Sequence, residues 1–243
     1  TRILSPRTLL LLAGCIWIGS GAITSRDAIT YQYDLIHMLS EQEFNAGAAN
    51  DHIRYGLVSS WYALASVWNH GLLQGRVAAA PNALLFIVLA LWGGHAVDKI
   101  LRGGRRGADL YLALAIPALL SVASILRWLP GATPDFPVAV AVVIIGWGWW
   151  RAPRSLAPSL AMLAAAVFAV RLTTAPLIPL VLIGLWRYRH RRERWTLAFM
   201  VLPAGVWMIA AWWSTGYPLY PSTLQLGSPP WQLNVEHAEK MAD

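Results

Sequence analysis

Long apolar runs, separated by short charged or Pro- and Gly-containing stretches, make up most of the chain. They predict helices at residues 8–24, 82–97, 108–126, 136–150, 156–170, 175–186 and 195–213. An upright helix needs about 20 residues to cross a bilayer. Several of these runs are shorter, so each recruits flanking Trp and Arg, whose polar ends reach the interface. Residues 57–73 follow a different pattern. Leu57, Trp61, Leu64, Trp68 and Leu72 keep helical spacing, whereas Ser59, Ser60, Asn69 and His70 make the segment amphipathic. Such a segment either spans or lies along the interface. Residues 27–61 break the apolar pattern most strongly. They collect Asp27, Asp34, His37, Glu41, Glu43, Asn50, Asp51, His52 and Arg54 in one polar stretch.

Composition sets the class. Hydrophobic residues make up 57% of the chain and charged residues 13%, against about 25% charge in an average soluble domain. The expected fold is all-α, a polytopic integral membrane protein forming a single transmembrane domain. The 14 Trp suit membrane interfaces, where an apolar ring with one polar edge is stable. The single cysteine, Cys15, excludes an intrachain disulfide and a Cys-based metal cluster, and reads as a small packing residue. The net charge of +7 does not point to nucleic acid, because the basic residues sit in short clusters at helix ends.

Those clusters fix a topology. If residues 57–73 do not span and the N-terminus is cytoplasmic, Arg2, Arg7 and the basic groups at 99–106, 151–154 and 187–194 fall inside. That side then holds 13 of the 19 basic residues. Arg26, Arg54, Arg76, Arg127, Arg171 and Lys240 fall outside. A spanning 57–73 would put the 99–106 and 187–194 clusters opposite Arg2 and Arg7, against the positive-inside rule. The preferred arrangement has seven spans, an interfacial helix, and both the polar loop (24–80) and the tail (214–243) outside. No small-residue cleavage site precedes Arg26, so the first run reads as a retained helix and not a signal peptide. Residues 231–243 look like the start of a further helix, as if the sequence were part of a longer protein.

The chemistry concentrates outside. Asp27, beside the first helix, suits a general base or a ligand holding a divalent cation on a phosphate. The plainer alternative is an interfacial Asp satisfied by a nearby N–H. In an extended segment Asn50, His52 and Arg54 would share one face, able to bind a phosphate or sugar; otherwise they form a network pinning the loop. His37, His52 and His70 lack metal-site spacing. Arg171 interrupts apolar sequence, where a charge is costly unless paired or wet. It either binds a lipid phosphate bidentately or snorkels. Asp135 either caps a helix or pairs with Arg171. Tyr217 and Tyr220, in a Pro-rich turn, either stack on a sugar ring or anchor at the interface.

These residues form an ordered pattern. Asp27, Tyr31 and Gln32 come first, then Gly47, Asn50, His52 and Arg54, then Ser59-Ser60-Trp61. Asn82, Pro134-Asp135, Arg171-Leu172-Thr173, Gly216-Tyr217-Pro218 and Tyr220-Pro221 follow. The pattern resembles an uncharacterised family of large bacterial multi-spanning membrane proteins, themselves similar to the polyprenyl-phosphate-dependent GT-C glycosyltransferases. The resemblance implies a bacterial inner (cytoplasmic) membrane location and a lipid-phosphate-linked sugar donor handled at the outer face. Asp27 would act as base or metal ligand. Gln32, Asn50, His52, Arg54, Asp135, Arg171, Tyr217 and Tyr220 would contact substrate. The family carries His where this chain has Gln32, and Lys where it has Arg171; an amide does not titrate. The competing expectation is a non-catalytic accessory subunit of a larger membrane assembly, with lipids and other membrane subunits as partners. A transporter fits less well, since no internal repeat and no charged pair at mid-span occur.

Overall fold

The computed structural model describes residues 9–10, 13–14, 16–17, 20–21, 23, 25–41, 45–71, 74–75, 80–104, 107–121, 127–151, 157–188 and 194–241. It is all-helical, with no strand among the described residues. Most of the expected first span, 8–24, lies outside them. The helices are α1 (Tyr33–Glu41), α2 (Ser60–Trp68), α3 (Ala80–Leu101), α4 (Gly107–Ser121), α5 (Asp135–Arg151), α6 (Ala157–Val170), α7 (Ile178–Tyr188), α8 (Arg194–Thr215) and α9 (Val235–Glu239). Helices α3 to α8 fall where the apolar runs predict them. One helix among the described residues, Ala80–Leu101, is long and apolar enough to cross a membrane by length and composition. Residues 107–121 form a shorter apolar helix.

Consecutive helices pack side by side from α3 to α7, and α8 returns to lie against α6. Phe86 and Leu89 of α3 meet Leu112 and Ile116 of α4 and Phe136 and Val140 of α5 in one buried cluster. Gly93 of α3 allows this approach, since a Cβ there would collide with the Ile116 side chain. Helix α2 is 9 residues long, about 13 Å at 1.5 Å per residue, and cannot cross a hydrocarbon core of about 30 Å. Ser59 caps it by accepting the Trp61 N–H at 3.2 Å. It packs against α1, burying Tyr62, Ala65 and Ser66.

The polar stretch folds into more helix than its composition suggests. A π-helical turn, Ala28–Gln32, leads into α1, closed by the Tyr33 N–H donating to the Ala28 carbonyl. Two 3-10 turns follow, Ala48–Asn50 and Ile53–Gly56. The expectation that 50–54 is extended is therefore corrected: only His52, between the turns, has extended backbone. The tail of the described chain straps back over these turns. Gly47 N–H donates to the Trp213 carbonyl at 2.9 Å, Leu233 N–H to the Thr215 carbonyl at 2.9 Å, and Ser214 Oγ to the Tyr55 carbonyl at 3.2 Å. The strap lies so close that a Cβ on Gly56 would sit 2.5 Å from the Thr215 methyl and 2.9 Å from the Tyr220 ring. The short helix α9, capped by Asn234, ends this segment, where the sequence suggests a helix start.

Candidate functional site

A cavity of about 340 Å³ opens where the π-turn, α2, the start of α5, the end of α6 and the tail converge. Its wall carries Asp27, Gln32, Asp135, Arg171 and Tyr220, five of the residues picked out from sequence. Tyr31, Tyr62 and Trp207 complete the aromatic side. The π-turn explains the first group. Its wider coil turns Asp27, Tyr31 and Gln32 onto one wall, and such turns recur at functional sites.

Two arginine–aspartate pairs flank the space. Arg54 Nη1 donates to Asp27 Oδ1, and Arg171 Nη1 donates to Asp135 Oδ1. The second pair is the partnership sequence offered as one reading of Arg171. Arg54 also lies 5.5 Å from the centre of the Tyr31 ring, a cation–π contact. The Asp27 and Arg54 side chains are 52% and 40% exposed, so this pair is wet and adds little stability. A guanidinium has five N–H donors, and Asp135 engages one nitrogen of Arg171, so an anion entering the cavity meets further donors on Arg171; Arg54 is not among the lining residues.

Arg171 and Asp135 are held by a polar frame. Helix α6 ends at Val170 and Arg171 is extended, φ −157° and ψ 129°. The Val170 carbonyl accepts Ser59 Oγ at 2.7 Å. On the other side Trp61 Nε1 donates at 2.9 Å to Asn82 Oδ1. The Asn82 amide nitrogen donates to the carbonyls of Trp128, Gly131 and Thr133, at 3.0, 2.7 and 3.2 Å. Thr133 Oγ1 then contacts Asp135 Oδ2 at 3.1 Å. Ser59, Trp61 and Asn82 are thus the residues that frame the ion pair. From sequence they match the family pattern, and Ser59 and Trp61 fall on the two sides of an amphipathic helix, but without this clamping role.

Other sequence candidates fall elsewhere. Asn50 does not line the cavity: its Nδ2 donates to the Trp231 carbonyl at 2.9 Å and ties the polar stretch to the strap. Tyr217 is 0% exposed, with its hydroxyl donating to the Leu233 carbonyl at 3.0 Å. Its ring is covered and has no face for a sugar. His52 acts locally. Its Nδ1 accepts the Arg54 N–H at 3.3 Å, and its ring lies parallel to Tyr31 with centres 6.3 Å apart. It shapes the turn that carries Arg54. Tyr220 lines the cavity with its hydroxyl donating to the Ile53 carbonyl at 3.2 Å. Burial pushes the Tyr220 phenol up to about 12 and holds Tyr62 well above the usual phenol range. Both stay protonated near neutral pH and act as hydrogen-bonding walls, never as tyrosinate bases.

The donor set does not fit a metal centre. Asp27 and Asp135 are the two carboxylates of the wall, each engaged by an arginine. Among the described residues no three His, Cys, Asp or Glu side chains come together as metal ligands.

A second, apolar cavity of about 450 Å³ adjoins the first. Leu35, Leu39, Ala166, Leu202 and Val206 are among its lining residues. The two cavities share Val58, Ser59 and Trp207, and Trp207 Nε1 donates to the Val58 carbonyl at 2.8 Å along that seam.

In this all-helical scaffold a charged chamber opens beside an apolar one. The chain belongs to DUF8201, a domain family of unknown function whose model matches residues 3–243. Neither the curated proteins nor the solved structures contain a match.

Proposed function

We propose that this is a polytopic membrane protein, GT-C-like in function, that handles a lipid-phosphate-linked sugar at the outer face of a bacterial inner membrane. The observation that carries the reading is the junction of the two cavities. A polyprenyl-phosphate sugar has an apolar tail, an anionic joint and a polar head. The apolar chamber suits the tail. Arg171 suits the joint, through charge-assisted bonds that carbonyls or amides do not match. Asp27 stands across the same polar chamber, where a carboxylate suits proton transfer from an acceptor hydroxyl. The membrane reading is supported by large apolar side chains exposed along several helices. Leu84 and Val88 of α3, Leu110 and Leu114 of α4, and Val201 and Ile209 of α8 all face outward, apolar surface of a kind that water-soluble monomers rarely leave uncovered.

Arg171→Ala should chiefly weaken donor binding. Losing a charge-assisted hydrogen bond costs about 1.5–3 kcal/mol, a rise in Kd of about 10- to 140-fold. Binding of a polyprenyl-phosphate hexose to the purified variant, measured by native mass spectrometry, checks this; an unchanged Kd removes Arg171 from the phosphate site.

The topology is testable separately. Arg102 follows α3 and its side chain is 78% exposed. With Cys15 replaced by Ala, an Arg102→Cys variant should resist a membrane-impermeant maleimide on intact cells and label only after the membrane is opened. Labelling of intact cells inverts the orientation.

A second reading has its own supporting observation. Both acids of the chamber are already paired with arginine, which suits a subunit that holds a lipid-linked ligand without reacting it. Turnover by the intact protein separates the two readings.

A further inference from the structure

One group in the chamber has no counterpart in the scheme above. Gln32 is 3% exposed and lines the polar cavity. Its Oε1 is buried with no hydrogen-bond partner among the described residues. Four of the polar lining residues are already engaged. Ser59 is bound to the Val170 carbonyl, Tyr220 to the Ile53 carbonyl, Asp27 to Arg54, and Asp135 to Arg171. A buried acceptor left unpaired destabilises the folded state. A buried polar atom of this kind in a native structure calls for an explanation, such as a functional role or a small bound partner.

The chemistry of the missing partner follows from the atom. An amide oxygen accepts hydrogen bonds and donates none. A phosphate diester has no hydrogen to give, and a polyprenyl tail has no polar hydrogen at all. The partner is therefore a hydroxyl or N–H of the ligand's head. We infer that Gln32 Oε1 is the contact for a sugar hydroxyl, so that this residue makes the chamber distinguish a glycosylated lipid phosphate from the bare lipid phosphate. The inference rests on the proposed lipid-linked ligand and adds the element that selects among such ligands. It also divides the chamber: Arg171 holds the anionic joint, and Gln32 reads the head on the π-turn wall beside Asp27.

The experiment measures two dissociation constants on the purified full chain at about pH 8, where a bare lipid phosphate is almost wholly dianionic and lacks a donor (second pKa near 6). The probes are undecaprenyl phosphate and undecaprenyl-phosphate glucose. The readout is their ratio, which is insensitive to general loss of protein quality. Wild type should prefer the glycosylated probe. Gln32→Met keeps the volume and removes the acceptor. It should weaken the glycosylated probe roughly 5- to 150-fold and leave the bare one within about 2-fold, collapsing the ratio. The same variant should unfold at a higher temperature without ligand, because the orphan acceptor is gone; a purely structural glutamine would give the opposite sign. Gln32→Glu retains an acceptor and should keep or widen the preference for the glycosylated probe, since its charge repels the dianionic bare phosphate more than the monoanionic diester. A ratio unchanged in Gln32→Met, or a wild type that binds both probes equally, overturns the role of Gln32 while leaving the lipid-phosphate site standing. A wild type that binds neither probe removes both.

Discussion

Replacing Asp27 by Asn should lower transfer from a polyprenyl-phosphate sugar by about 10²–10⁴-fold while leaving the fold intact. General acid–base groups contribute on that scale. Folding is spared because the Asp27 side chain is half-exposed and its partner Arg54 is too. The amide oxygen of Asn can still accept from the guanidinium, so no buried charge is stranded. Donor binding should change far less than turnover, since the proposed phosphate contact is Arg171 and not Asp27. The check is single-turnover transfer by the reconstituted variant, alongside its thermal unfolding in the same detergent. Transfer at the wild-type rate would remove Asp27 from the base role, whereas no transfer by the intact wild type would favour the accessory-subunit reading.

Asn82→Ala should be the most destabilising single change at the site. The residue is 0% exposed. Its amide serves three loop carbonyls and the Trp61 indole at once. Truncation strands at least the indole N–H and some of those carbonyls. Each buried orphan costs about 1–3 kcal/mol, so a total of about 3–6 kcal/mol is expected from a stability of roughly 5–15 kcal/mol. The unfolding midpoint should fall by on the order of 10 °C. Lipid-phosphate binding should weaken as well, because the 128–133 loop that sets Asp135 loses its anchor. A midpoint within a degree or two of wild type would mean that the frame around the ion pair is not what holds it.

The helices α3 to α8 were legible because each is an uninterrupted apolar run ended by charge or by Pro and Gly. Residue type alone decides such segments. The stretch 27–61 was not legible in the same way. Leu35, Ile36 and Leu39 of α1 sit among polar neighbours, so the apolar signal is diluted over a helix of 9 residues. The 3-10 turns at 48–50 and 53–56 are held by partners far along the chain, such as Trp231 for Asn50 and Ser214 for Tyr55. Local pattern carries no trace of these. The same cause explains Asn50 and Tyr217. Both have chemistry suited to a ligand, and only the tertiary fold turns them toward the strap. Asp135 and Arg171 were legible as a pair because topology put both on one side and a charge beside apolar sequence needs a partner. The frame of Ser59, Trp61 and Asn82 was not, because polar residues in apolar surroundings carry no label that separates a clamp from a contact.

The strap has a consequence for biosynthesis. Asn50 finds its carbonyl at Trp231, 181 residues later, and Tyr220 reaches Ile53 across 167. At 5–20 residues per second, a ribosome needs roughly 10–40 s to make that interval. Throughout it the turns at 48–56 have only early partners such as Asp27 and Tyr31, while α3 to α7 can pair neighbour to neighbour as they emerge. Contacts of such long separation close slowly even once both ends exist. A chain halted after α8 would hold the arginines, the acids and the polar frame, yet lack the Tyr220 wall that shuts the chamber.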